Sequence, residues 1–252
     1  AYTIEREFSR RGYEVILCNT GGDREEALRY LRAVARKQVD GIVLVGSVFN
    51  TICRGAEMTA LLGKVPVVLA NGALPLPNAC SVLVDDGRGI GLAVEHLLAR
   101  GRRALFYLKD KSTDSADRTR EGFGPALEQA GQDPAGRVLE IGDTLEDGMA
   151  AARHILESGQ PCDGIVCGED LIAAGVLKTL LRARIPVPER IAVTGYNHSD
   201  YARLCEPVLT TVDNKGDQVA LRCVQLLESS MEQGGPGTSV TVQPELVPGR
   251  TS

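Results

Sequence analysis

One tetrapeptide occurs twice in this chain and constrains its fold more than any other feature: Asp40-Gly41-Ile42-Val43 returns as Asp163-Gly164-Ile165-Val166. Each copy closes a helix-to-strand turn. About 30 residues after each copy, the span of one further αβ unit, an apolar run ends in asparagine: Val67-Val68-Leu69-Ala70-Asn71 and Ala192-Val193-Thr194-Gly195-Tyr196-Asn197. Around these anchors short β-rich runs (13–18, 41–45, 65–70, 82–84) alternate with helical patterns (24–37, 55–62, 90–100). A second series runs 104–108, 118–130, 138–141, 145–158, 164–167, 171–184 and 191–196. Such alternation predicts βαβ units and parallel sheets. The expected fold is therefore α/β, with two similar doubly wound parallel-sheet lobes. Ligands of open parallel sheets bind outside the carboxyl ends of the strands, so two such sheets facing each other would make a cleft lined by strand-end residues.

The remainder departs from the alternation. A β run at 209–212 precedes a long helix, 213–233, with Val219, Val224, Leu227 and Met231 on one face. Gly234-Gly235-Pro236-Gly237 then separates that helix from a β run at 239–242. At the other end, residues 1–11 read as the end of an amphipathic helix, with Ile4 and Phe8 four apart. No strand precedes that helix, an odd start for an alternating protein and a reason to expect natural sequence upstream.

With 28 basic against 33 acidic residues, the chain lacks the cationic excess that binding a phosphate backbone requires. Seven scattered cysteines without a CxxC pair suit a reducing cytoplasm, several of them as small buried hydrophobes. No apolar run reaches the roughly 20 residues that span a bilayer, and the N-terminus has no signal-peptide core.

These residues resemble the LacI/GalR family of bacterial transcription regulators, whose core has the type I periplasmic-binding-protein fold. Arg11-Gly12-Tyr13-Glu14-Val15 with Cys18-Asn19-Thr20 resembles that family's first helix-to-strand turn, and Val39-Asp40-Gly41-Ile42-Val43 its third strand. Val94-Glu95-His96-Leu97-Leu98 with Gly101 resembles its helix before the first crossover. Most specific is Gly195-Tyr196-Asn197, followed by Pro207 and Leu209-Thr210-Thr211-Val212.

The resemblance implies three crossovers, near 100–103, 211–213 and 237–239. Residues 1–100 with 213–237 would then form an N-terminal lobe, and 101–212 with 238–252 a C-terminal lobe. It also implies a helix-turn-helix head and a first strand lying upstream, which would account for the abrupt start and the missing basic patch.

Candidate ligand residues follow from strand ends and from the resemblance together. Glu169 stands where the family usually has asparagine; a carboxylate accepts from paired hydroxyls or pairs with a cation, but cannot donate. The adjacent Asp170 reads as a helix N-cap. Arg118 and Arg120 flank Thr119, which occupies the place of a family arginine that reaches ligand, so one of the two arginines takes that role or both are solvated. Asn197 matches an effector-contact position. Ser47, Phe49, Asn71 and Asp86 follow N-lobe strands and line the opposite wall or serve as plain loop residues, Phe49 offering a face for stacking. His198 reads as a surface helix entry.

Gly87-Arg88-Gly89-Ile90-Gly91 opens a helix, but the third glycine of GxGxxG would be position 92, which is Leu92. No cofactor is expected. His96, His154 and His198 form no HxxxH, and neither GxSxG nor GxxxxGK[ST] occurs, so neither metal nor catalysis is expected.

The function implied is a cytoplasmic effector-sensing core of a LacI-type regulator, in the sense of a repressor. It would bind a sugar, sugar phosphate, nucleoside or purine in the interlobe cleft. It would dimerise through 199–204, with Tyr201 and Leu204 in the contact, and through the exposed helices of the N-terminal lobe, and reach operator DNA through a head outside this chain, with no membrane involved. An exported substrate-binding protein of a sugar transporter or chemoreceptor is the alternative; a doubly wound enzyme comes third.

Overall fold

A computed structural model describes residues 1–110 and 113–252. In chain order it opens with α1 (Tyr2–Arg10), α2 (Arg24–Arg36), β1 (Ile42–Val45), α3 (Phe49–Ile52), α4 (Ala56–Leu62), β2 (Val67–Ala70) and β3 (Ala79–Val84). There follow α5 (Asp86–Ala99), β4 (Leu105–Lys109), α6 (Asp114–Gln129), β5 (Val138–Glu140), α7 (Leu145–Glu157), β6 (Gly164–Cys167) and α8 (Asp170–Arg182). The chain continues through β7 (Ala192–Tyr196), α9 (Asp200–Leu204), β8 (Thr210–Asp213), α10 (Gly216–Gln233), β9 (Val240–Val242) and β10 (Glu245–Val247).

Two compact units result, Ala1–Val84 with Gly216–Val242, and Asp85–Lys215 with Gln243–Ser252. The chain passes between them three times. The first passage falls after Val84 instead of near 100–103, because α5 packs on α6 and on strands of the second unit. The other two fall after Lys215 and Val242, a few residues beyond the expected positions.

The first unit holds a sheet in the order β1-β2-β3-β9, every pair parallel. Successive side chains of a strand face opposite sides, and β2 shows the result: Val68 and Ala70 join Ile4, Phe8, Val82, Cys223, Val224 and Leu227 under α1 and α10. Val67 and Leu69 join Ala27, Leu31, Leu44, Met58 and Leu62 on the other face. The run 13–18 forms no strand, contrary to expectation. A strand needs a neighbour's edge to satisfy its backbone, and among the described residues none pairs with it; Val15, Ile16 and Leu17 stand 37%, 48% and 70% exposed.

The sheet of the second unit has the order β10-β8-β7-β6-β4-β5, parallel except for β10, which runs antiparallel to β8. Its strands read as continuous apolar runs because both faces are covered. Phe106, Leu108, Ile165, Cys167 and Val193 pack under α7 and α8; Leu105, Tyr107, Val166 and Tyr196 pack under α5 and α6. The helices of each pair cross at glycine. A methyl group on Gly122 would overlap the Gly87 carbonyl, and one on Gly148 or Gly175 would overlap the backbone of the facing helix.

A short tail completes the sheet. Thr251 lies between the starts of β7 and β8: its carbonyl accepts from Val193 N (2.7 Å), and its hydroxyl donates to Val193 O (2.7 Å) and accepts from Thr210 N (2.9 Å). Ser252 Oγ donates to Thr210 Oγ1 (2.7 Å) and lies 2.8 Å from His96 Nε2.

Candidate functional site

In the second unit β4, β6 and β7 are neighbours, so the residues that follow them, Asp110, Glu169 and Asn197, leave one edge of one sheet. The sequence reading named the last two. Glu169 takes the N-cap position of α8 with extended backbone (φ −147°, ψ 153°), yet its side chain makes no cap bond. Asn197 turns the chain sharply: its φ is +93°, and that of His198 is +49°. Asn197 N donates to Val212 O (2.8 Å), and Asn214 Nδ2 donates to Asn197 Oδ1 (2.7 Å).

Asp170 corrects an expectation. Read as an N-cap, it is instead the first residue of α8, 1% exposed, and its carboxylate serves groups distant in sequence. Oδ2 accepts from Ser199 N (2.7 Å) and Ser199 Oγ (2.9 Å), and Oδ1 from Thr211 Oγ1 (2.6 Å). Burial pushes this carboxyl above its ordinary value, while the bonds from Thr211 and Ser199 and the nearby His198 pull the other way.

Asp86 and Arg118 were separate candidates, and the structure joins them. Asp86, 1% exposed in the first turn of α5, accepts from Arg118 Nη2 (2.8 Å), Ser115 Oγ (2.7 Å) and Tyr196 Oη (2.9 Å). Burial, then the Asp86 charge, drives the Tyr196 phenol far above its ordinary range, so it stays a neutral donor. Arg118 is thus docked on a buried carboxylate, with its side chain 31% exposed. Arg120 instead forms an exposed ion pair with Glu140 (3.1 Å). Lys109, 5% exposed, reaches Asp117 (2.7 Å) and Glu140 (3.6 Å). Thr119, where a ligand-binding arginine was sought, is buried and accepts from Tyr107 Oη (2.7 Å).

In the first unit, Ser47 is 5% exposed in the turn after β1. Phe49 packs into the cluster of Leu44, Ile52, Met58 and Leu62, which leaves its ring little face for stacking on a ligand. Asn71 adopts a left-handed backbone (φ +55°) and accepts from Val84 N (3.2 Å). Asn50, which sequence reasoning passed over, accepts from Ala73 N (2.7 Å) and so braces the loop after β2. On α9, Tyr201 and Leu204 are 50% and 80% exposed around the buried Ala202.

The glycines that open α5 serve packing. A methyl on Gly89 would meet the Tyr196 ring at 2.7 Å, and the Gly87 carbonyl lies against Gly122. Among the described residues no cluster of three or more His, Cys, Asp or Glu is placed to hold a metal ion, and no helix is long and apolar enough to cross a membrane.

The sequence from 94 to 252 matches the family described as periplasmic binding protein-like domain. The chain belongs to that family. It is an effector-binding domain of the kind found in LacI-type regulators. An HTH-type transcriptional regulator of Lachnoclostridium phytofermentans is 27% identical over 261 residues, covering 100% of this chain and 76% of the relative. The ribose operon repressor of Escherichia coli K12 is 29% identical, over 89% of this chain and 68% of the relative. Among solved structures, a LacI transcriptional regulator from a Rhodococcus species superposes on this LacI-type domain with a TM-score of 0.87 and 28% identity, covering 100% of this chain and 91% of that one.

Proposed function

We propose that this domain senses a small polar ligand of the sugar class and, as a homodimer in the cytoplasm, conveys its occupancy to operator DNA as a repressor. Asn197 carries the reading. It sits at a strand end in a left-handed turn, one end of its amide held by Asn214, which leaves the other end to hydrogen-bond a ligand hydroxyl. Glu169, at the end of the neighbouring strand, supplies an acceptor for paired hydroxyls. Arg118, braced by Asp86, supplies a planar donor. Arg120, Ser47 and Asn71 complete the proposed set. A relative named as a ribose operon repressor makes pentoses the first compounds to try. Tyr201 and Leu204 offer an apolar patch for the second copy.

A thermal-shift panel of pentoses, hexoses, sugar phosphates, nucleosides and purines tests the proposal. A ligand at 100 times its Kd adds about 2.7 kcal/mol to stability. Asn197→Ala should weaken any hit by about 1–3 kcal/mol. Stabilisation by no member of the panel refutes a small polar effector. Sedimentation at tens of micromolar should show a dimer that Leu204→Asp dissociates; a strictly monomeric parent chain refutes that part.

A further inference from the structure

Two consecutive non-glycine residues, Asn197 and His198, hold left-handed backbone angles directly after β7. Such angles persist only where the surroundings over-determine them, so something must hold the turn. Its backbone bonds are few: Asn197 N to Val212 O at 2.8 Å, and a longer one from His198 N to Thr211 Oγ1 at 3.4 Å. The next residue, Ser199, is gripped twice by Asp170, through its backbone N–H and through its hydroxyl.

We propose that Asp170 is a positioning residue for the ligand site, its buried carboxylate clamping Ser199 and Thr211 and so fixing the turn that presents Asn197 and His198. The proposal rests on the reading of Asn197 as a ligand contact, but the clamp stands on geometry of its own.

Three observations support it. First, two helix starts meet here: Asp170, in the first turn of α8, accepts from both the backbone N–H and the hydroxyl of Ser199, the N-cap residue of α9, whose side chain makes no cap bond in its own helix. Next, an ionised carboxylate only accepts, so all three donors can point at it together; a neutral amide cannot receive all three. Third, Gly195 admits the start of α8, since a methyl there would overlap Asp170 Oδ1 and meet Leu209 Cδ2 at 2.7 Å. Thr211 completes the link, because one hydroxyl donates to Asp170 and accepts from His198 N.

Amide hydrogen exchange on the intact chain tests this without any ligand. Asp170→Ala should speed exchange at His198, Ser199 and Asp200 by about tenfold or more, with β4 and β6 amides unchanged. Asp170→Asn, which keeps the shape but only one acceptor oxygen for the three donors, should fall between wild type and Asp170→Ala. The proposal is overturned if Asp170→Ala leaves these amides protected, or if exchange rises evenly across the second unit together with a lowered Tm, as a merely structural role would give. Should Asp170→Ala fail to fold, Thr211→Val removes one donor only; unchanged exchange at 198–200 in that variant also overturns the clamp. An empty ligand panel would sink the sensing function and leave the exchange result standing, so the two failures are distinguishable.

Discussion

Replacing Gly122 by alanine tests the reasoning about how α5 and α6 cross. The added methyl would fall 2.7 Å from the Gly87 carbonyl carbon and 2.9 Å from its Cα, and closer still to its oxygen. Ordinary contact begins near 3.4 Å, so the helices must separate by several tenths of an ångström at least. Every obstructing atom belongs to backbone, so no side chain can swing aside, and α5 is pinned by Ile90, Val94 and Leu97, each fully buried. Overpacking of a core costs about 1–3 kcal/mol, and the rigid case belongs at or above the top of that range. Gly91, on the facing helix, supplies the control. A methyl there meets only the Arg88 guanidinium at 3.7 Å, so Gly91→Ala should gain up to about 1 kcal/mol of helix propensity. The two variants should therefore differ by roughly 3–4 kcal/mol in the same direction as their packing. Urea unfolding followed by far-UV circular dichroism should separate their midpoints by about 1 M or more. Equal midpoints, or Gly122→Ala the more stable, would refute the argument.

Phe123 is fully buried and stacked on Tyr107 with ring centroids 5.4 Å apart, so Phe123→Ala should cost about 3–5 kcal/mol in the same assay; a loss below about 1 kcal/mol would show that the pair is not part of the core. Burial, with Arg100 nearby, lowers the His96 pKa, so the unfolded chain binds this proton more tightly. Stability from neutral His96 is then present above its ordinary value and lost as pH falls through it, and wild type should lose stability relative to His96→Gln between pH 8 and about 5.5. A stability difference that stays flat across that window counts against the assignment. Thiol labelling of the native chain should stop at Cys18 and Cys205, which are half-buried; the other five cysteines are buried, with burial pushing Cys53 and Cys162 up to about 11 and Cys223 to about 12. Rapid native reaction at any of those five contradicts the packing described.

The parallel sheets were legible because strands covered on both faces must be apolar throughout, as in 105–108 and 165–167. Boundaries were less so. The helix expected from 118 begins at Asp114, since Thr113 caps it by accepting from Ala116 N. The run 13–18 has the composition of a strand, and composition supplies only one of the two edges a strand requires. At the site, Glu169 and Asn197 were visible as strand-end residues. The roles of Asp170 and Tyr196 were not, because a buried hydrogen bond is made with partners 29, 41 and 110 residues away, and local pattern carries no trace of them.

Each unit is closed by residues synthesised after the other has begun. The core beneath α1 needs Val219, Cys223, Val224 and Leu227 from α10, so residues 1–84 emerge with that face uncovered until all of 85–215 has been made. The second sheet in turn waits for Thr251 to seat between β7 and β8. During translation, then, the first unit waits for α10 and β9, and the second for the segment that carries Thr251. While residues 85–215 are made, the apolar face beneath α1 is left uncovered, a stage at which aggregation competes with folding.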